Sequence, residues 1–183
     1  MQSAVPTGSP TFTPSEALST AGAIPLDRCV NDSDINAVNY PSDWYSNGGG
    51  LNWDSWDACS LFGHQPFLTA DDPAIAIRLL AQPIQPWSDP FAPLTGEFEG
   101  YTVLRDEATT IGGRDAWVRE FAMTTSVPGD HNAGDRQLTY DVHIGDGWFL
   151  HADAGMAPDD YEDVSAALTL MLDTLEVLEI PAP

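Results

Sequence analysis

Four histidines and a group of neighbouring aspartates are the residues of this chain whose types could support chemistry. Histidine is the usual general base of hydrolytic enzymes, because its pKa lies close to neutral pH. His143 and His151 lie in one short segment that also contains Asp141 and Asp153. A histidine beside a carboxylate is part of many hydrolytic sites, and two histidines close together can begin a metal site.

The surroundings of these histidines contain no motif that would complete a catalytic site. The sequence lacks the nucleophile elbow G-x-S-x-G, the metalloprotease pattern H-E-x-x-H and the glycine-rich nucleotide-binding loops. Hydroxyl groups that could act as nucleophiles are scattered, at Ser55, Ser60, Thr124 and Thr139. We therefore expect a non-enzymatic protein without a cofactor. The alternative is a small secreted hydrolase that uses a histidine and an aspartate of residues 137–153.

The pairing of the two histidine-bearing segments decides whether His143 and His151 can act together. Polar and apolar residues alternate on either side of a glycine-rich turn, which predicts a β-hairpin over residues 137–153. With a two-residue turn at the tip, His143 lies opposite Leu150. The same register places His151 on the other face of the sheet from His143. We therefore expect structural roles for both histidines and no metal site.

The charge of the chain is strongly one-sided. It contains 28 aspartates and glutamates against six basic residues, all of them arginine, and its formal net charge is −22. Nucleic acids and anionic membranes are bound through basic patches, so this composition excludes both as electrostatic partners. No apolar run approaches the roughly 20 residues of a membrane span. We expect a soluble, self-repelling monomer that does not insert into a membrane.

The two cysteines and the N-terminal segment indicate where the protein works. Residues 1–25 are rich in Pro, Ser, Thr, Ala and Gly, which is typical of a flexible tether. Such tethers commonly follow a signal peptide or a lipid-anchored cysteine in exported bacterial proteins, and export permits disulfides. We expect a Cys29–Cys59 disulfide in a single globular domain of residues 26–183; two unrelated buried thiols are the alternative.

Aromatic residues gather around a triple glycine at residues 48–50. Exposed aromatic side chains on a glycine-rich loop often form ligand or partner surfaces. We therefore expect Tyr45, Trp53 and Trp56 to contact an unknown protein or small ligand at the cell envelope. Packing in the core around the disulfide is the alternative for the two tryptophans.

Most of the remaining segments are predicted to form strands. Residues 35–49 predict two short strands around a turn, residues 73–80 predict another strand, and the Gly-Gly pair at 112–113 predicts a hairpin. Four prolines within residues 82–93 exclude long regular structure there, although a short helix could fit within residues 91–103.

The C-terminal segment 159–175 predicts an amphipathic helix. Asp159 and Glu162 have the spacing of a capping box at its start. One apolar stripe runs along it at helical spacing, formed by Tyr161, Val164, Leu168, Met171, Leu172 and Leu175. We expect Leu168 and Leu172 to be buried against a sheet.

The order of several segments carries a family resemblance. These segments are NYPSDWY, ACSLFGHQPF, AIAIRLL, TTIGGRDAWVREF, TYDVHIGDGWFLHADAG and DDYEDVSAALTLMLDTLEV, between Cys29 and Val177. Their order resembles the exported actinobacterial lipoprotein domains of the LpqN and LpqT type, within the PsbP-like superfold. The resemblance implies an α+β fold, an α/β/α sandwich with one central antiparallel sheet, helices on both faces and the C-terminal helix packed on the sheet. It also implies a largely non-catalytic role and cysteines at the positions of Cys29 and Cys59.

Overall fold

The computed structural model describes residues 24–31, 35–48, 57–69, 72–96, 98–128 and 131–178. Strands dominate this part of the chain, as the alternation of polar and apolar residues predicts. In chain order they are β1 (Leu26–Val30), β2 (Asn36–Pro41), β3 (Tyr45–Ser46), β4 (Leu61–Gly63), β5 (Ile75–Pro83), β6 (Tyr101–Ile111), β7 (Arg114–Met123), β8 (Arg136–Gly145), β9 (Trp148–Met156) and β10 (Glu176–Val177). One turn of 3₁₀ helix, Pro158–Asp160, leads into the α-helix α1 (Tyr161–Asp173).

The strands form two antiparallel sheets. One has three strands in the order β1-β2-β10, and the other has seven in the order β3-β4-β5-β9-β8-β7-β6. The hairpins predicted at the two glycine-rich turns are confirmed as β6–β7 and β8–β9. The strands predicted within residues 35–49 and 73–80 also form, although β2 and β3 belong to different sheets.

One face of the seven-stranded sheet packs against α1, and we call it the helix face. Its buried residues are almost all apolar, and its centre is formed by Ile77, Leu79, Val118, Val142, Leu150, Ala152 and Ala154. The apolar stripe of α1 joins the same core, and the side chains of Leu168, Met171 and Leu172 are 0% exposed. The terminal helix therefore packs on the sheet as its stripe predicts.

The start of α1 differs from its predicted form. The helix begins at Tyr161, and its N-cap residue Asp160 makes no side-chain hydrogen bond to the cap. Asp159 lies inside the 3₁₀ turn that begins at Pro158, a residue favoured in first turns because it has no N–H to leave unpaired. The predicted capping box of Asp159 and Glu162 is therefore wrong.

The opposite face of the same sheet, which we call the loop face, carries no helix in the described part of the chain. Residues 84–96 cross it in an irregular conformation, and β6 begins soon afterwards. Three prolines in this segment each remove a backbone donor and fix φ, which prevents a helix. The short helix predicted within residues 91–103 is therefore wrong.

The expected α/β/α sandwich is wrong for the same reason. The described residues form a mostly β structure, with two sheets and one short α-helix on one face of the larger sheet. A second helix would need an apolar surface to cover, whereas the loop face presents charged side chains such as Arg119 and Asp141. Those charges are satisfied instead by one another and by the backbone of the crossing loop.

The predicted disulfide joins the two sheets. Cys29 lies on β1 of the small sheet, and Cys59 lies in the turn before β4 of the large one. Both cysteines are buried in the common core. Closing a loop of 30 residues removes unfolded-state entropy worth about 3–4 kcal/mol in the chain-entropy model. The Cys29–Cys59 prediction is confirmed.

Candidate functional site

The register of β8 and β9 places both histidines of this hairpin on the loop face. His143 lies opposite Phe149, and His151 lies opposite Asp141. The pairing shifts by one residue between His143 and Gly145, so β8 contains one residue more than β9 beside the turn. That extra residue reverses the parity expected for a regular two-residue hairpin. The prediction that the two histidines lie on opposite faces is therefore wrong.

A chain of charged and polar side chains runs across the middle of the loop face; we call it the Arg119 cluster. The Arg119 guanidinium donates to Asp141 Oδ2, and His151 Nδ1 lies 2.7 Å from Asp141 Oδ1. On the other side, Arg119 Nε lies 3.5 Å from Asp106 Oδ1. Trp117 Nε1 donates to the same Asp106 oxygen at 2.6 Å. The cluster thus connects β6, β7, β8 and β9.

The crossing loop covers this cluster and is held by it. Arg119 donates to the carbonyl oxygens of Pro90 and Ala92 at 2.7 and 2.9 Å. The Leu94 N–H donates to Asp106 Oδ2 at 2.7 Å. Because charged groups accept or donate each of these bonds, they are stronger than bonds between neutral groups. The cluster is therefore the anchor that fixes the loop over the sheet without a helix.

Burial and charge act in opposite directions on His151. Burial lowers its pKa, whereas the hydrogen bond with Asp141 and the charges of Asp141 and Asp153 raise it, with Arg119 opposing. The attraction outweighs the burial, so the pKa of His151 lies above its ordinary value of 6.5. The cationic imidazole is consequently favoured beside Asp141.

The cluster contains the histidine and carboxylate of a hydrolytic site but not its nucleophile. Among the described residues, no serine or threonine hydroxyl is hydrogen-bonded to His151. Ser60 Oγ donates to the Asp57 carbonyl at 2.6 Å beside β4, and Thr139 is buried opposite Asp153. Asp141 is already shared between Arg119 and the histidine.

A groove of about 710 Å³ opens on the loop face; we call it the loop-face groove. Its polar end includes Arg78 of β5 and Asp153 of β9, which lie directly opposite each other in the sheet. Its apolar end includes Tyr101 and Phe121, whose rings meet edge to face at 5.1 Å. Gln137 and Gly155, paired across β8 and β9, lie between the two ends.

A smaller cavity of about 400 Å³ lies toward the other end of the loop face. It is lined mainly by apolar groups, including Phe91 of the crossing loop and Trp117, together with His143. The Phe91 ring contacts the His143 ring at a centroid distance of 5.8 Å. His143 therefore packs against an aromatic side chain. In the regions that the structure describes, no three His, Cys, Asp or Glu side chains are arranged to hold a metal ion.

The arrangement of strands and helix resembles two solved structures. The solution structure of cyanobacterial PsbP (CyanoP) from Synechocystis aligns with a TM-score of 0.51 and 14% identity, over 90% of this chain and 99% of that one. The crystal structure of LpqN from Mycobacterium tuberculosis aligns with a TM-score of 0.53 and 17% identity, over 79% of this chain and 83% of that one. The fold is PsbP-like. No protein-family model and no curated protein sequence matches the chain.

The resemblance to LpqN that the order of segments predicted is thus confirmed for the fold. At this identity, the likeness of the PsbP-like domain to both structures concerns the fold alone. The resemblance also implied helices on both faces of the sheet, and that part of the prediction is wrong.

The aromatic surface predicted for the PsbP-like domain can be located only in part. Tyr45 lies on β3, an edge strand of the large sheet, and is 47% exposed. Trp53 and Trp56 lie outside the described residues, so their role in binding stays a prediction. Trp44, beside Tyr45, is buried and packs on His64 with ring centroids 4.0 Å apart.

The loop-face groove is a candidate site that sequence reasoning missed. A signal was present, because Thr139, Asp141 and His143 alternate with apolar residues and so mark a polar face of β8. A second signal is Gly155, which interrupts a strand where a side chain would be expected. Neither signal could show that β5, β6 and β7 also contribute residues to the groove. Within the described residues, no helix is long and apolar enough to cross a membrane.

Proposed function

We propose that this PsbP-like domain is a non-enzymatic binding or accessory domain that works outside the cytoplasm, in a secreted or lipid-anchored bacterial envelope protein. A buried disulfide supports an oxidising compartment, because thiols stay reduced in the cytosol of most bacteria. LpqN is involved in cell envelope biogenesis in Mycobacterium tuberculosis, which supports the same setting here.

The observation that carries the binding role is the loop-face groove. It has the volume of a small-molecule site, about 710 Å³, and it lies on the sheet face that no described helix covers. Its walls combine the aromatic rings of Tyr101 and Phe121 with several charged and polar side chains, so the groove can contact both apolar and charged groups of a ligand. Packing of the domain itself requires no such opening, because the core lies on the helix face.

A hydrolase remains the second candidate, favoured by the 2.7 Å contact between His151 and Asp141. Such an enzyme needs a hydroxyl or an activated water on the free Nε2 side of the imidazole. The Arg119 cluster offers another use for the pair, since Asp141 also holds the arginine that anchors the crossing loop. A hydrolase would need a hydroxyl or an activated water that has not been located. The binding role needs no such additional group.

Capture from a bacterial envelope extract tests the binding role. The immobilised wild-type domain is compared with Arg78→Gln in the groove, Trp53→Ala in the sequence segment that follows the triple glycine, and Asp163→Asn on the exposed side of α1 as the control. We expect a specific partner or ligand that Asp163→Asn retains and that at least one of the other two variants loses, at an unchanged melting temperature. Equal capture by all four proteins would place binding on neither surface.

Turnover assays test the second candidate. Wild type and His151→Gln are incubated with a panel of ester, amide and glycoside substrates. We expect no turnover that depends on His151. Turnover that is lost in His151→Gln but retained in His143→Gln would establish the hydrolase and overturn the non-enzymatic role.

Alkylation in cells tests the compartment. Free thiols are blocked before lysis, and the intact mass is measured with and without later reduction. We expect two alkylated cysteines only after reduction. Two thiols blocked before reduction, in protein from its native host, would contradict the extracytoplasmic setting.

A further inference from the structure

The polar end of the loop-face groove presents two opposite charges that do not satisfy each other. Arg78 and Asp153 are direct cross-strand neighbours on the loop face. Within the described residues, neither side chain forms a hydrogen bond or an ion pair. Side chains that lie opposite each other in a sheet have Cβ atoms about 5 Å apart, so both groups can reach one small ligand.

The free guanidinium is unusual in a chain this acidic. Arg28, Arg105, Arg119 and Arg136 each form an ion pair with a carboxylate. Among the described residues, only Arg78 and Arg114 do not. With 28 acidic residues in the chain, an arginine left without a carboxylate in a groove is available to an anionic group of a ligand.

Gly155 keeps the floor of the groove open. It lies inside β9, its φ is not in the left-handed region, and a Cβ built on it would meet no atom within 4 Å. Neither the backbone nor the packing of the domain therefore requires glycine here. A strand glycine without such a reason is typical of a place where another molecule approaches closely.

The far end of the groove is an apolar wall. Phe121 lies one pair away from Gly155 along the same row of the sheet, through Gln137. Tyr101 packs on Phe121 edge to face, and Met123 lies opposite Tyr101 in the neighbouring pair. Aromatic rings and methionine favour a flat or branched apolar group.

The charges of the groove exclude a simple anion as its best ligand. Three carboxylates line it, from Asp72, Asp135 and Asp153. Of its two arginines, Arg136 is already paired with Glu120 and lies over the Tyr161 ring at 4.6 Å. A ligand with one negative and one positive group side by side matches this balance, whereas a purely anionic ligand would be repelled by the carboxylates.

We infer that the loop-face groove binds a free α-amino acid with an aromatic or branched apolar side chain. The carboxylate pairs with the Arg78 guanidinium, the ammonium group pairs with Asp153, and the side chain passes over Gly155 to the wall formed by Phe121 and Tyr101. This inference rests on the proposed binding function and names the class of its ligand.

Titration calorimetry with the whole chain tests the inference, using L-phenylalanine and L-leucine as probes. Phenylpropionate lacks the ammonium group, phenethylamine lacks the carboxylate, and alanine lacks the apolar side chain. We expect phenylalanine or leucine to bind, and each of the three incomplete probes to bind at least about tenfold more weakly, because each leaves a charged or apolar contact unmade.

Three groove variants and a matched control locate the site. Arg78→Gln and Asp153→Asn should each weaken phenylalanine binding by about tenfold or more. Gly155→Val should abolish it without lowering the melting temperature, because the added side chain enters open space. Arg114→Gln removes the other arginine without an ion pair and should leave binding unchanged.

The outcomes separate the ligand class from the binding role. Phenylpropionate binding as tightly as phenylalanine, equal effects of Arg78→Gln and Arg114→Gln, or no heat with any probe would each overturn the amino-acid assignment. If Gly155→Val nevertheless abolishes capture from the envelope extract, the groove binds a different ligand and the proposed function stands. If Gly155→Val changes neither amino-acid binding nor capture, the groove is not the binding site.

Discussion

The two faces of the seven-stranded sheet are built from the same strands but differ in composition and in role. The helix face is apolar and closed, and Val142 and Leu150 at its centre are 0% exposed. The loop face carries Arg119, Asp141 and His151, held together by charged hydrogen bonds under a loop. Hydrophobic burial is non-directional and roughly proportional to area, so it stabilises the fold; charged hydrogen bonds are directional and can recognise a ligand.

Strand β8 shows how one sequence supplies both faces. Leu138, Tyr140 and Val142 belong to the core on the helix face. Thr139 and Asp141, which alternate with them, belong to the loop face. Because successive side chains of a strand point to opposite sides, a substitution on the helix face of β8 can change stability while leaving the side chains of the loop face almost unchanged, and the reverse also holds.

The largest expected loss of stability comes from a substitution that creates a cavity on the helix face. Leu168→Ala should lower the free energy of unfolding by about 2–5 kcal/mol, because it removes buried surface and leaves a void. Chemical denaturation monitored by tryptophan fluorescence measures it. Asp163→Asn, on the exposed side of the same helix, is the control and should change stability by less than about 0.5 kcal/mol. A small loss for Leu168→Ala would mean that α1 contributes little to the core.

Removal of the disulfide comes next. Cys29→Ser combined with Cys59→Ser should lower the free energy of unfolding by about 3–4 kcal/mol, because the unfolded chain regains its loop entropy. The comparison uses the same denaturation experiment, with oxidised wild type as reference. An equal loss when only one cysteine is replaced is also expected, since either change breaks the bond. Unchanged stability of the double variant would show that other contacts alone hold the two sheets together.

On the loop face, replacement of Arg119 should release the loop rather than open the core. Arg119→Leu should cost about 1.5–3 kcal/mol, the usual range for lost hydrogen bonds to a charged group. Hydrogen–deuterium exchange should rise in residues 84–96 and stay unchanged in α1. Arg114→Gln, which breaks no ion pair among the described residues, is the matched control. Exchange that rises equally on both faces would contradict the separation between them.

The smallest expected effect is a pH dependence that belongs to the loop face alone. The folded-state pKa of His151 is raised above 6.5, so the protonated imidazole stabilises the fold. This contribution is complete below about pH 6.5 and is lost as the pH rises through the folded-state pKa. The melting temperature of wild type should therefore fall by a small amount between about pH 6 and pH 8, and His151→Gln should remove that fall. An identical fall in the variant would assign it to another group.

The elements with strong local patterns could be predicted from the sequence. The apolar stripe that contains Leu168 and Leu172 predicts α1, and the glycine pair at 112–113 predicts the β6–β7 hairpin, because helical spacing and positive φ angles are local requirements. Both glycines do adopt positive φ. The candidate site was less predictable, since Arg78 and Phe121 are distant in the chain and line one groove only because of the strand order of the sheet.

The predictions that failed depended on contacts between distant segments. The bulge at Gly145 reverses the face of His143, and a one-residue change in pairing is not visible in a pattern of alternation. The missing second helix layer depends on Arg119, which bonds the carbonyls of Pro90 and Ala92 and so replaces helix packing. The capping box failed because Pro158 starts a 3₁₀ turn before α1.

By itself, the sequence determined the strand-rich composition, the terminal helix and the strongly acidic total charge, because each of these follows from local spacing or from composition. Only the tertiary structure decided which sheet face stays open and which side chains meet there. Strand register and the path of the 84–96 loop set those contacts, and both depend on the balance of many long-range interactions that no short segment contains.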